Sequence, residues 1–192
     1  MTDRPRIGIY GGTFDPIHHG HLILAREAAE SLDLEQVIFV PAARSPHKLQ
    51  CPAAPASDRL AMVRAAVHGE PRFAVDEIEL NRPPPSFTID TIEILAARHP
   101  QRRFSLLVGE DNVDTLETWH RFAELRAMVD LVVLERSGLQ REHPYRAVRR
   151  HIDISATDIR NRVARGASIR YLVPTAVEEI IRERQLYRES EI

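Results

Sequence analysis

Short runs of β-forming residues alternate with helical patterns along this chain. The runs predict six strands: Arg6–Tyr10, Val37–Ala42, Arg72–Leu80, Phe104–Gly109, Met128–Glu135 and His151–Ile154. Strands that alternate with helices in one domain pack as a parallel sheet, because each crossover helix covers one of its faces. The sequence therefore predicts an α/β fold with a doubly wound, mainly parallel sheet and helices on both faces.

The helical patterns have starts and stops of their own. After the first strand, an apolar helix face is predicted from Leu22, Ala25, Ala29 and Leu32. Further helices are predicted to begin at Ser57 and to span Thr88–Arg98, Thr157–Arg165 and Thr175–Leu186. Side-chain type predicts four caps: Thr88 as an N-cap, Asp111 for a helix after Gly109, Gly166 as a C-cap, and Thr175 with Glu178 as a capping box.

Length and composition narrow the class of protein. A chain of 192 residues can bury a sizeable core, so we expect one domain over residues 1–192 with a helical C-terminal portion from about residue 157. The formal net charge of −2 lacks the basic excess of nucleic-acid-binding proteins. The single cysteine, Cys51, excludes an internal disulfide and a cysteine-built zinc site. Neither a signal core nor an apolar run near the ~18 residues of a membrane span is present, so we expect a cytoplasmic protein outside the membrane.

The stretch GGTFDPIHHGH, Gly11 to His21, follows the first predicted strand. Ligands bind doubly wound sheets at the carboxyl ends of the strands, where this stretch would lie. Gly11 and Gly12 would allow a tight turn and a close approach of backbone to ligand. Backbone N–H groups and a helix N-terminus favour an anion, most naturally phosphate. His18 and His21 are three residues apart, so both rings would face that anion.

Other interpretations of this stretch fit less well. A P-loop requires Gly-Lys-Ser/Thr, and a dinucleotide fingerprint requires G-x-G-x-x-G with an acidic residue after the second strand. Neither pattern is present. Zinc binding by His18, His19 and His21 lacks the H-E-x-x-H spacing and a third ligand of the usual kind, so no metal site is predicted. A glycine turn followed by helix-capping histidines, without a ligand, remains open at this stage.

Two motifs resemble those of the nucleotidylyltransferase superfamily. GGTFDPIHHGH contains the H-x-G-H signature, and ISATDIR, Ile154 to Arg160, is similar to the late I-S-x-T-x-I-R motif. Three further segments resemble bacterial nicotinate mononucleotide adenylyltransferases: SPHK (Ser45–Lys48), PSFTIDTI (Pro85–Ile92) and LLVGEDNVDTLETWHRF (Leu106–Phe122). The resemblance extends from Arg6 to about Tyr187 and implies a Rossmann-like nucleotidylyltransferase fold.

The resemblance also implies a reaction. ATP would transfer its adenylyl group to nicotinate mononucleotide, giving nicotinate adenine dinucleotide and pyrophosphate in NAD biosynthesis. The attack would be direct and in line, with no covalent intermediate, and Mg²⁺ would accompany ATP. Two alternatives are an adenylyltransferase acting on phosphopantetheine or another small molecule, and a non-catalytic nucleotide-binding regulator.

The resemblance assigns roles to individual positions. The expected catalytic residues are His18, His21, Lys48 and Arg160. The expected ATP-binding residues are Gly11, Gly12, Thr13, Phe14, His18, His21, Gly109, Asp111, Ser155 and Arg160. The expected residues for nicotinate mononucleotide are Lys48, Thr88, Trp119 and Arg136, where Ser137 replaces the proline that usually follows the arginine.

Overall fold

Six parallel strands form one sheet in the computed structural model, which describes residues 4–43, 54–83, 85–138 and 142–188. The strands are β1 Arg6–Gly12, β2 Leu34–Pro41, β3 Phe73–Val75, β4 Arg103–Gly109, β5 Val129–Glu135 and β6 Arg146–Arg149. Their order across the sheet is β3-β2-β1-β4-β5-β6, and every neighbouring pair is parallel. This is the order of the doubly wound dinucleotide-binding fold, with β1 and β4 at the point where the direction of winding reverses. The predicted fold class is confirmed.

The described helices cover both faces of the sheet. They are α1 His19–Ser31, α2 Ala56–Val67, α3 Thr88–Arg98, α4 Phe122–Met128, α5 Ala156–Ala164 and α6 Thr175–Glu183. A 3₁₀ helix, Glu110–Thr118, follows β4. None of the helices in the described ranges is both long enough and apolar enough to cross a membrane.

The strands bury alternate residues on opposite faces, as the period of two requires. On β1, Ile7 and Ile9 pack with α3 and α4, whereas Tyr10 faces α1, α2, α5 and α6. The same alternation continues in β2 and β5, so two apolar cores lie on either side of the sheet. The edge of the sheet at the carboxyl ends of the strands is therefore held rigidly from both faces.

Two of the strand predictions are wrong in extent or place. The third strand was expected over Arg72–Leu80, but only Phe73–Val75 pairs with β2, because the Asp76 carboxylate accepts from Ile78 N at 2.9 Å and turns the chain. The last strand is Arg146–Arg149, not His151–Ile154. The latter segment lies beyond the ladder, where Ile152 N donates to the carbonyl of Arg136 at 3.0 Å.

The helix predictions are closer. Thr88–Arg98 is confirmed, and the second and fifth helices each begin one residue earlier than expected, at Ala56 and Ala156. The last helix ends at Glu183 instead of Leu186, and its N-cap is Pro174, so the predicted capping box is wrong. Phe87, not Thr88, is the N-cap of α3. The C-cap of α5 is Arg165, and Gly166 follows it with φ +70°, the left-handed conformation that commonly ends a helix.

The packing of α4 generates the first testable prediction. Leu125 is fully buried in the core beside α3, whereas Met128 at the end of the same helix is 38% exposed. We expect Leu125→Ala to lower the free energy of unfolding by ~2–5 kcal/mol, because the cavity cannot close fully. Met128→Ala should cost less than ~1 kcal/mol. Urea unfolding of both variants measures the difference, and equal losses would contradict this account of the core.

Candidate active site

A cleft of about 1010 Å³ opens at the carboxyl edge of the sheet, above the ends of β1 and β4. Almost all the residues selected from the sequence line it: Gly11, Gly12, Thr13, Phe14, His18, His21, Thr88, Gly109, Asp111, Trp119, Arg136, Ser155 and Arg160. Lys48 lies outside the described residues. The fold thus brings together side chains from motifs that begin at Gly11 and at Ile154.

The turn after β1 differs from the sequence-based expectation. Gly11 and Gly12 do not form the turn but continue β1, paired with Val40 and Pro41 of β2. The left-handed conformation falls on Phe14, at φ 47°, and its buried ring packs against Tyr10. A Cβ on Gly12 would lie 3.0 Å from the Phe14 ring, so the glycine serves close packing. A Cβ on Gly11 would meet no described atom within 4 Å, so backbone is exposed to the cleft there.

His18 and His21 are stacked at the start of α1. Their ring centroids are 3.7 Å apart with 26° between the planes, which confirms that the two rings share a face. The backbone N–H of His18 donates to Nδ1 of His21 at 3.2 Å. A neutral His21 therefore carries its proton on Nε2. His19 is not among the residues that line the cleft.

The packing around Gly20 explains why the H-x-G-H motif has a glycine at this position. A Cβ at this position would lie 3.0 Å from both Cε1 and Nδ1 of His18. Contacts that short are rare for real Cβ atoms, so a larger residue would push the His18 ring out of its stack with His21. The motif therefore requires a residue without a side chain to seat the first histidine.

Burial sets the charge of His18. The residue is 2% exposed, and desolvation, with smaller effects from Arg136 and His19, lowers its pKa to about 3. The imidazole is neutral at pH 7, so it offers a ligand an N–H dipole and not a full charge.

The late motif forms the opposite wall. Ser155 is the N-cap of α5, and its hydroxyl accepts from Asp158 N at 3.1 Å. Ser155, Ala156 and Thr157 all line the cleft, so the positive end of the α5 dipole points into it. Arg160 donates from Nη1 to the carbonyl of Asp15 at 2.7 Å, which joins this wall to the turn after β1.

Hydrogen bonds hold Arg136 and Ser137, the two residues that follow β5. Arg136 donates from Nη1 to the carbonyl of Ile154 at 2.7 Å, and the Glu110 carboxylate accepts from the backbone of Arg136 and Ser137. Glu110 opens the 3₁₀ helix, so Asp111 does not cap a following α-helix as expected. The Asp111 side chain instead lies over Gly109 at the rim of the cleft.

An aromatic end of the cleft is formed by α3 and the segment after the 3₁₀ helix. The rings of Phe87 and His120 are 4.2 Å apart, and Trp119 lies beside them with Nε1 buried and without a partner among the described residues. Glu79 also lines this end, where its carboxylate accepts from the Thr91 hydroxyl at 3.0 Å. Burial raises the pKa of Glu79.

Sequence reasoning missed several cleft residues. Arg59 is 3% exposed and donates to the carbonyls of Thr13, Ala43 and Ala54 at 2.7, 3.1 and 3.2 Å. Glu79 was hidden in a segment expected to be a strand. Neither residue has a spacing that marks it in the sequence, since Arg59 follows Asp58, and Glu79 stands among Asp76, Glu77 and Arg82. Within the described ranges, no group of three His, Cys, Asp or Glu side chains is arranged to hold a metal ion.

Comparisons with known proteins agree with this geometry. The family model described as cytidylyltransferase-like matches residues 9–162. A "Probable nicotinate-nucleotide adenylyltransferase" of Geobacillus thermodenitrificans is 45% identical over 95% of this chain and 86% of its own length. One of the same name from Thermomicrobium roseum is 42% identical over 97% and 93%. The Plasmodium falciparum nicotinic acid mononucleotide adenylyltransferase complexed with NaAD has a similar fold, with a TM-score of 0.79 at 17% identity over 95% of this chain and 97% of that one.

The low pKa of His18 predicts a pH-dependent loss of stability. The unfolded histidine binds a proton near its ordinary pKa of 6.5, whereas the folded one does so only near 3. This contribution to stability is complete above pH 6.5 and is lost as the pH falls, by about 2 kcal/mol at pH 5. Urea unfolding at pH 8 and pH 5 should show that loss in the wild type and a correspondingly smaller one in His18→Gln. The same pH dependence in both proteins would contradict a neutral, buried His18.

Proposed function

The chain belongs to the cytidylyltransferase-like family and, within it, to the nicotinate-nucleotide adenylyltransferases, and from this we infer that it transfers the adenylyl group of ATP to nicotinate mononucleotide. The products are nicotinate adenine dinucleotide and pyrophosphate, in NAD biosynthesis. One observation in the structure carries the inference: a single cleft joins the His18–His21 pair, the N-terminus of α5 and an aromatic end. We also propose a cytoplasmic location, where ATP is available.

The reaction requires positioning more than acid–base chemistry. A phosphate oxygen of the mononucleotide, already an anion at neutral pH, forms a bond to the α-phosphorus of ATP. The bond from that phosphorus to the bridging oxygen breaks, and pyrophosphate leaves with the electron pair. No general base is needed, so the site must align the two anions and stabilise charge in the transition state. A cleft built from N–H donors and cationic side chains suits that task.

Three groups at the phosphate end would act on ATP. His18 and His21 would donate N–H groups to the α-phosphate, with Thr13 beside them. The N-terminus of α5 at Ser155 and the guanidinium of Arg160 would hold the β- and γ-phosphates. The Ser155 hydroxyl accepts from Asp158 N, so its own O–H would remain able to donate to a phosphate oxygen beside the helix dipole. The described residues offer no carboxylate cage, so Mg²⁺ would be held mainly by the triphosphate and water.

The remaining residues would bind the sugars and the pyridine ring. Asp111 beside Gly109 would accept from the ribose hydroxyls of ATP. Trp119 would stack on the pyridine ring, and Thr88 at the start of α3 would face its carboxylate. Arg136, together with Lys48, would approach the phosphate of the mononucleotide.

Replacement of the motif histidines tests the phosphate end. We expect His21→Ala to lower kcat ~10²–10³-fold with a much smaller change in KM for ATP, because charge on the transferring group is largest in the transition state. His18→Ala should behave similarly. His19→Ala is the matched control, since His19 does not line the cleft, and should stay close to wild type. Steady-state pyrophosphate release measures all three, and equal damage by all would contradict the geometry.

Choice of the pyridine substrate tests the other end. The first N–H groups of α3 have no partners within the helix and, with its dipole, favour the carboxylate of nicotinate. The amide of nicotinamide would leave a desolvated N–H group unpaired, at ~1–3 kcal/mol. We therefore expect kcat/KM to favour nicotinate over nicotinamide mononucleotide by at least ~10-fold. Trp119→Ala should weaken the use of both and leave KM for ATP nearly unchanged.

The same assay separates the alternatives. Pyrophosphate release with phosphopantetheine, and none with either pyridine mononucleotide, would assign the chain a different substrate. ATP binding without pyrophosphate release from any of the three would indicate a regulator. Equal use of the two pyridine mononucleotides would contradict selection by the N-terminus of α3.

A further inference from the structure

A tyrosine far from the motifs reaches the turn after β1. The hydroxyl of Tyr187 donates to Oδ1 of Asp15 at 2.6 Å. Tyr187 follows α6 and lies outside residues 9–162, the range that the family model matches. Asp15 is only 7% exposed, and it lines the cleft between Thr13 and His18. The contact therefore connects a segment outside residues 9–162 with the turn that lines the cleft beside His18.

The chain is bent to make this contact. Gln185 and Tyr187 both adopt the left-handed backbone conformation, at φ 52° and 63°. Residues with side chains seldom adopt it, and they keep it only where surrounding contacts hold them. Burial and the bond to Asp15 raise the pKa of Tyr187, so its hydroxyl stays protonated and remains a donor.

Asp15 lies in the turn after β1 and contacts three other parts of the chain: the residues before α2, helix α5 and the segment after α6. Its Oδ1 also accepts from Ala54 N at 3.0 Å, immediately before α2. Its carbonyl accepts from Arg160 of α5 at 2.7 Å. Arg59 of α2 holds the carbonyl of Thr13, two residues earlier, at 2.7 Å. The orientation of Asp15 thus sets the backbone of the turn and the direction of the Arg160 guanidinium together.

We propose that Tyr187 is a positioning residue for ATP: by holding the carboxylate of Asp15, it fixes the turn after β1 and the Arg160 side chain where the triphosphate binds. The proposal rests on the function inferred above. The ring of Tyr187 would pack equally well as phenylalanine, so its hydroxyl is the part that serves the site. Without it, the Asp15 carboxylate keeps one of its two described donors, so the turn is less restrained and the backbone carbonyl that Arg160 binds is held less firmly.

Tyr187→Phe removes the hydroxyl alone. We expect it to raise both KM and Kd for ATP up to about tenfold, because the turn and the Arg160 side chain would then have to be ordered when ATP binds. KM for nicotinate mononucleotide should change less than about twofold, because the pyridine end makes no described contact with this network. Tyr171→Phe makes the same chemical change at a side chain that is 77% exposed, and it should match wild type in every parameter. Initial rates and calorimetric titration with ATP, well below the melting temperature, measure these quantities.

A double-mutant cycle tests whether Tyr187 acts through Asp15. Asp15→Asn should also weaken ATP binding, and adding Tyr187→Phe should then cost little more. Independent, additive losses would overturn the proposal, as would wild-type ATP parameters in Tyr187→Phe or equal rises in KM for both substrates. A wild-type protein that binds ATP but releases no pyrophosphate would refute the proposed function alone, because the Kd comparison would still test Tyr187.

Discussion

Two backbone carbonyls of the central turn connect it to the helices around it. The chain leaves β1 beneath a cleft, and the carbonyls of Thr13 and Asp15, in a part-buried position, accept from side chains of the protein. Arg59 and Arg160 supply these donors from α2 and α5, at 2.7 Å in each case. Both helices are therefore docked by polar contacts to the turn as well as by apolar packing. The parallel sheet determines where the cleft lies, and these bonds determine the shape of its floor.

The cleft combines the dipoles of helix N-termini with the guanidinium groups of Arg59, Arg136 and Arg160. His18 is neutral, and the N-termini of α1, α3 and α5 all face the same space. Arg59 and Arg160 already bind carbonyls before any ligand arrives. Such donors are oriented in advance, so little reorganisation is needed when negative charge develops on a ligand. An array of mobile lysines would attract phosphate equally well but would have to be ordered on each binding event.

The structural features that could be predicted from the sequence are those that depend on local residue patterns and on motifs. The fold class, the bounds of α3 and the cleft position of the selected site residues that the structure describes follow from periodicity, helix signals and resemblance. Contacts that depend on tertiary structure could not be predicted in this way. His151–Ile154 has the alternation of a strand, yet the ladder with β5 is made by the preceding residues. Arg59, Glu79 and Tyr187 have no motif spacing, because their partners are distant in sequence.

The bond between Asp15 and Tyr187 spans 172 positions of the chain. During synthesis on a ribosome, residue 15 emerges long before residue 187 has been added, since chains grow at about 5–20 residues per second. The central turn therefore lacks one of its hydrogen-bond donors, the Tyr187 hydroxyl, until after the whole sheet has been translated. This part of the cleft can therefore be completed only after residue 187 has left the ribosome, and a shorter nascent polypeptide cannot assemble it.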